Sequence, residues 1–462
     1  MQAVTPLPSI SQANEKIELR RCLSALDLTL LGIGAIVGAG IFVITGIAAA
    51  TQAGPGIIFS YILAGAACTF CALAYAELAS SIGGCGSAYG YAYAGIGRLA
   101  AWIIGWDLLL EYGMDTATIS IGWSGYVEHT LAAMHIPLPK SLAADPFHGG
   151  VINLPAVVII FALASILSIS TKKGALFNNI IVYIKLAVIA LFIGVGVTHF
   201  DVNNWQPFLP FGVQGIVNGA GLIFFAYIGF DAVSTAGDEA KNPKRDLPIG
   251  ILASLVVCTV VYVTVAGVLT GIMYYPSLNV SSPVALALVQ FGHHYTAQIV
   301  AFGAIAGLTT ATLAMYYGFT RVFLAMARDG FLPQSAAKIH PESGTPRRLI
   351  WSAAFVISIC AGLFPITHIA NLVNIGTLAA FVAVCISVII LRYKKPDMPR
   401  PFKMPYGVAL SLVGILLCAY LMTSLPGITW ASFLLWTVIG LVIYFAYSKK
   451  SNLLTDAPTI SK

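Results

Sequence analysis

A single lysine, Lys185, stands in NNIIVYIKLAVIALF with apolar residues on both sides. In a bilayer, a charge at such depth costs at least about 2.5 kcal/mol on insertion scales. About ten residues or more separate it from either end of the segment, so snorkelling is a poor escape. A lysine held away from water can gain and lose a proton, which would suit it to proton-linked work. The competing reading is a structural pairing. Asp107, Glu111 and Asp115 recur every fourth residue, which puts three acids on one helix face, facing a polar lumen or internal partners. Glu111 has two readings: it approaches a bound side chain, or it is a neutral, hydrogen-bonded structural acid.

Two glycine-marked stretches carry the other chemistry. GIGAIVGAGIFVITG, residues 32–46, holds five glycines inside an apolar run. Gly34 and Gly38 form a GxxxG pair that would let helices approach closely. The tighter Gly38-Ala39-Gly40 has no side chain larger than methyl, so the backbone there can open. Opened backbone persists at membrane depth only where it lines a cavity or binds something. GLIFFAYIGFDAVSTAGDEA, residues 221–240, is interrupted by Gly229 and carries Asp231 in apolar surroundings. Asp231 reads as a tie for the loosened helix rather than a substrate contact. Free N–H groups after the first break would attract a carboxylate, and free carbonyls at both breaks an ammonium. A site taking the two side by side fits an α-amino acid.

These residues need apolar helices to hold them. The 462-residue chain is 58% hydrophobic, 9% charged, with mean hydropathy +0.88; a soluble domain carries about 25% charged residues. The fold class is therefore an all-α polytopic membrane protein, and long unbroken apolar runs exclude a membrane β-barrel. Twelve segments are long enough to span: approximately 26–50, 56–79, 98–133, 151–170, 175–199, 213–236, 247–275, 297–325, 347–365, 369–391, 405–425 and 430–448. The third must tilt or break, and GSAYGYAYAGIGR before it reads as an interfacial helix. With the N-terminus inside, every one of the 24 Lys and Arg residues except Lys140 and Lys185 falls in a cytoplasmic segment, supporting twelve helices with both termini cytoplasmic. Charges before the first apolar run exclude a signal peptide. The breaks fall in the first and sixth spans, which enter from opposite sides. This is the pattern of a 5+5 inverted repeat with broken helices meeting at the midplane. The expected division is a cytoplasmic segment 1–25, repeats 26–199 and 213–391, two further helices in 405–448, and a cytoplasmic tail 449–462.

The eight cysteines show no metal or disulfide spacing; no cofactor is expected, and the charge of +6 reflects topology rather than nucleic acid. Without a soluble domain, GxSxG or HExxH, enzyme chemistry is not expected. A channel would need a continuous polar pore.

The motifs LDLTLLGIGAIVGAGIFVITG, AGPG, YAELAS, GSAYGYAYA, GWDLLLEY, FFAYIGFDAVSTAGDEAKNPKRDLPIGI and RVFLAMARDGFLP occur in that order. Over roughly residues 20–448 the chain resembles the amino acid–polyamine–organocation transporter superfamily, and within it bacterial relatives of the cationic amino acid transporters. The resemblance implies that the amides of Ala39 and Gly40, beside Gly38, bind the substrate carboxylate. The carbonyls of Ile36, Phe225, Ala226 and Ile228 would receive the ammonium, and Phe225 would close over the substrate as a gate. It implies that Lys185 is the proton-coupling residue, interacting with carbonyls near Gly38; sodium-coupled relatives place a metal ion there. Met315 in LAMYYGFTR is either a gap-filler or a pocket residue where animal cationic transporters carry a smaller polar one. A thioether there would disfavour a guanidinium. The expected function is proton-coupled import of small or medium neutral, alanine-like L-amino acids across the cell membrane. Alternatives are a cationic amino acid or polyamine transporter or exchanger, and an amino acid sensor built on a transporter fold. Expected partners are the amino acid, the proton and the bilayer; a sterol or small membrane subunit stays open.

Overall fold

The computed structural model describes residues 23–82, 88–169, 174–236, 239–333, 338, 340 and 345–448. Most of segment 1–25, the tail 449–462, Lys172, Lys173 and Asp238 lie outside the described residues. The elements are helical throughout. They are α1 Ala25–Ile36, α2 Thr45–Ala48, α3 Ile57–Ile82, α4 Ala88–Gly95, α5 Arg98–Ala133, α6 Lys140–Ala143, α7 Leu154–Ile169 and α8 Gly174–Val197. After these come α9 Gly212–Ile223, α10 Ala232–Thr235, α11 Pro243–Ile272, α12 Pro283–Gln290, α13 His294–Arg328, α14 Arg347–Leu363, α15 Ile366–Lys394, α16 Gly407–Thr423 and α17 Gly427–Ala446. Each of the twelve apolar segments of the sequence is occupied by helix or by a broken helix. Among the described residues, seven helical stretches are by themselves long and apolar enough to cross a bilayer, and three shorter apolar helices accompany them. The protein is an all-helical, polytopic membrane protein.

The outer faces show what solvent the fold is built for. On α17, Leu434, Leu435, Val438 and Val442 are all more than half exposed. An apolar surface of that extent is a liability in water and normal against lipid. The interior holds the reverse: Asp107, Glu111, Asp115, Lys185, Asp231 and Asn374 are buried.

Helix α5 runs 36 residues without a break, so the interruption allowed by the sequence does not occur. Helix α4 is where the interfacial helix was expected, but Tyr91, Ala92 and Gly95 are buried and it packs on α5 and α15. Its lack of bulky aliphatics lets Gly95 lie directly against Ser387 of α15. Within the bundle α3 packs on α11, α5 on α13 and α15, α1 on α11, and α7 on α14, while the backbone beyond α1 meets the turn beyond α9. Helix α1 starts cleanly because Ser24 and Asp27 make a reciprocal capping box, with Ser24 N donating to Asp27 Oδ2 at 2.9 Å, satisfying otherwise orphaned N–H groups.

Candidate functional site

Both glycine-marked stretches are broken helices. Helix α1 ends at Ile36; Val37 is extended at φ −76°, ψ 92°. The helix resumes as a widened π-type turn over Gly40–Ile44, a form often found at functional sites. The second break follows α9 as a tight 3-10 turn over Phe224–Tyr227, ending at extended Ile228. Gly229 then adopts φ +114°, a region costly for any residue with a Cβ. Asp231 immediately precedes α10, and its carbonyl receives Ser234 Oγ at 2.6 Å.

The two breaks meet. A Cβ on Gly40 would lie 2.4 Å from Ala226 Cα, and a Cβ on Gly229 would lie 2.9 Å from the Ala35 carbonyl carbon. Residue 40 meets 226 and residue 35 meets 229, so the chains cross in opposite directions. Gly40 is thus a packing glycine here, whatever else it does. Gly38 differs: its nearest neighbour, Ala311 on α13, would be 3.7 Å from an added Cβ, an ordinary contact. Met315, buried one helical turn after Ala311, shares that face of α13. On the other side, α5 passes at Gly122, where an added Cβ would stand 3.2 Å from Ala39 Cβ.

A helix that stops in the membrane leaves carbonyls to be satisfied. At the first break the partners are side chains. Lys185 Nζ donates to Gly34 O and to Val37 O, both at 2.9 Å. A cation at a helix C-terminus also meets the negative end of the dipole. Tyr262 OH donates to Ile36 O at 2.8 Å. Beyond the break, Thr45 Oγ1 donates to Gly40 O at 2.9 Å and Tyr126 OH to Phe42 O at 2.8 Å. At the second break, Phe225 O accepts from Ile228 N at 3.3 Å. Asn374 on α15 donates to Gly221 O at 2.8 Å and Leu222 O at 3.0 Å.

All the expected site residues are buried: Ile36, Gly38, Ala39, Gly40, Glu111, Lys185, Phe225, Ala226, Ile228, Asp231 and Met315. They do not form one cluster. Glu111 precedes Gly122 by eleven residues, roughly 16 Å along α5 at 1.5 Å per residue. It stands beside Tyr112, whose ring packs against Gly318, while Asp107 packs against Gly376 of α15. Both Asp107 carboxylate oxygens and Glu111 Oε2 lack hydrogen-bond partners. Tyr262, Asn374, Tyr126 and Thr45 were not anticipated. The available signal was a polar group inside an otherwise aliphatic run, as in CTVVYVTV. Two charged residues near helix ends also have definite partners. Glu77 accepts from Arg392 Nε at 3.0 Å and from Met404 N at 2.8 Å, and Arg98 donates to Ser448 O at 2.8 Å.

Residues 23–446 match the amino acid permease family. The chain is 47% identical to the methylthioribose transporter of Bacillus subtilis (strain 168) over 451 residues, covering 97% of this chain and 98% of that one. It is also 47% identical to the branched-chain amino acid permease BcaP of the same strain over 454 residues, 97% of each. Human cationic amino acid transporter 4 is 32% identical over 410 residues, 87% of this chain and 65% of that one.

Proposed function

The chain belongs to the amino acid permease family, and from that premise we propose that it imports neutral L-amino acids together with protons by alternating access. The observation that carries this reading is the apposition of two oppositely running broken helices, with Lys185 bonded to the end of the first. The pairings α3–α11, α5–α13 and α7–α14 support a twelve-span protein with repeats 26–199 and 213–391, since each joins an element to its counterpart five spans later. The charge distribution supports cytoplasmic termini, and residence in the cell membrane is part of the same proposal.

In this reading the first amides of the resumed helix, Ala39 and Gly40, face a positive half-helix end toward the substrate carboxylate. The carbonyls of Ile36, Phe225, Ala226 and Ile228 take the ammonium. Ile36 O retains a second lone pair beside its bond from Tyr262. Gly40 and Ala226 are in contact, so substrate entry must part them, and Phe225 closes afterwards. Lys185 is the coupling group. Charged, it clamps Gly34 and Val37 carbonyls; neutral, it holds them more weakly, and the first helix is released to rearrange. Glu111, far along α5 from Ala39, acts as a structural acid rather than a substrate contact. Met315 narrows the pocket against cationic side chains. The relatives at 47% identity are named for branched-chain amino acids and for methylthioribose, whereas relatives named for cationic amino acids stand at 32–36%; this favours neutral cargo.

Methylthioribose is the second reading, favoured by that same identity. A thiosugar has neither carboxylate nor ammonium and would leave both half-helix ends unused. Uptake of labelled alanine into liposomes, with and without an inward proton gradient, separates the readings. Accumulation should require the gradient; leucine and isoleucine should compete, and arginine and methylthioribose should not. Uptake of labelled methylthioribose without uptake of labelled alanine would replace this proposal with the sugar.

A further inference from the structure

We propose that His199 and His293 form a bis-imidazole site for a divalent transition-metal ion such as Zn2+, joining the end of α8 to the start of α13. The two residues sit at helix termini and are half-buried. His199 lies two residues beyond Val197, in a turn closed by its own N–H to Gly196 O at 2.9 Å. His293 directly precedes α13 and is aimed by Gly292, which takes φ +77° in the turn after α12. That conformation strongly favours glycine.

The imidazole Nε2 atoms are 3.4 Å apart, with ring planes at 79°. This is long for an N–H···N hydrogen bond. It matches a metal chelate: two nitrogens each about 2.0–2.1 Å from a tetrahedral ion are about 3.3 Å apart. The hydrogen-bond network also selects the required tautomer at His199. Thr198 Oγ1 donates to Val195 O at 2.7 Å, so its proton is committed. Val195 O and Thr198 Oγ1 lie 3.1 and 2.9 Å from His199 Nδ1, and both then act as acceptors. Nδ1 therefore carries the hydrogen, and Nε2 presents a lone pair toward His293. A ligating histidine ordinarily has its other ring nitrogen bonded to a carbonyl in this way. The Phe291 ring packs on His199 with centroids 4.7 Å apart, further fixing its orientation. Two neutral nitrogen ligands suit Zn2+, Ni2+ or Cu2+ and not Mg2+; water completes the coordination. His294 takes no part: it lines a separate cavity of about 540 Å³ with His129 and Gln298.

Titration of the tag-free, full-length protein in detergent with ZnCl2, followed by calorimetry, tests the site. Wild type and His294→Ala should each show one saturable binding event that MgCl2 does not reproduce. His199→Ala and His293→Ala should each lose it, while eluting as monodisperse protein. His199→Gln and His293→Gln, which keep bulk and polarity, should also lose it. Absence of saturable binding by wild type, its persistence in either histidine variant, or an equal response to Mg2+ would overturn the assignment.

Discussion

The two broken helices solve the same problem by different means. The first break is held by side chains from other helices: Lys185 from α8 and Tyr262 from α11 take three carbonyls around residues 34–37. The second is held from within its own segment, through a 3-10 turn, the positive φ of Gly229 and backbone at Gly229 and Ala232 that bonds the Asp231 carboxyl, with Asn374 bonding the helix before it. A break secured by a titratable side chain can be undone by moving a proton. A break secured from within its own segment depends less on its neighbours. The first is thus the natural moving part and the second the natural anchor.

The largest effect should come from Lys185→Ala. It removes the donor to Gly34 and Val37, and gradient-driven accumulation should be abolished while the protein remains folded. Accumulation in response to a pH step at the wild-type level would remove Lys185 from the coupling role. Gly229→Ala should come next, striking the anchor. A Cβ at positive φ costs about 1–3 kcal/mol, and this one would also meet the Ala35 backbone at 2.9–3.0 Å. Substrate binding and melting temperature should both fall; a variant of unchanged stability would show that the second break is not set by its glycine.

Met315→Ser probes the wall beside the moving part. A hydroxyl bonded to a cationic side chain is worth about 1.5–3 kcal/mol, roughly ten- to a hundredfold in affinity. Arginine should begin to compete with alanine, and alanine should still bind. Strong arginine uptake by wild type would show that Met315 is no barrier. Tyr262→Phe deletes one neutral hydrogen bond, to Ile36 O, worth about 0.5–1.5 kcal/mol; substrate affinity should change only several-fold. Loss of binding altogether would place Tyr262 on a level with Lys185. Gly38→Ala should do least, because 3.7 Å to Ala311 leaves room for a methyl group. Paired with a severe defect in Gly40→Val, which collides with Ala226, it separates opening from packing in Gly38-Ala39-Gly40.

Much of this arrangement was legible in the sequence. Gly38-Ala39-Gly40 and the isolated Gly229, each within an apolar run, located the two breaks, and the cost of a buried charge singled out Lys185. What escaped was the set of partners. Tyr262 in a valine-rich run and Asn374 in NIGTLAAF look like packing residues until their hydroxyl or amide is seen to meet a carbonyl from another helix, 226 residues away for Tyr262. The dual nature of Gly40 was equally hidden. Its need to lack a side chain arises from Ala226, and local sequence carries no record of a neighbour so distant. Spacing correctly put Asp107, Glu111 and Asp115 on one helix, but left open how far along it they lie from Ala39.

The lysine clamp also offers a vibrational handle. A carbonyl that accepts from an ammonium stretches at lower frequency than one that accepts from a neutral amine or from nothing. Isotopic labelling of the Val37 carbonyl would move its band clear of the helical background. That single band would then report, in the working protein and without any added probe, whether the proton is on Lys185.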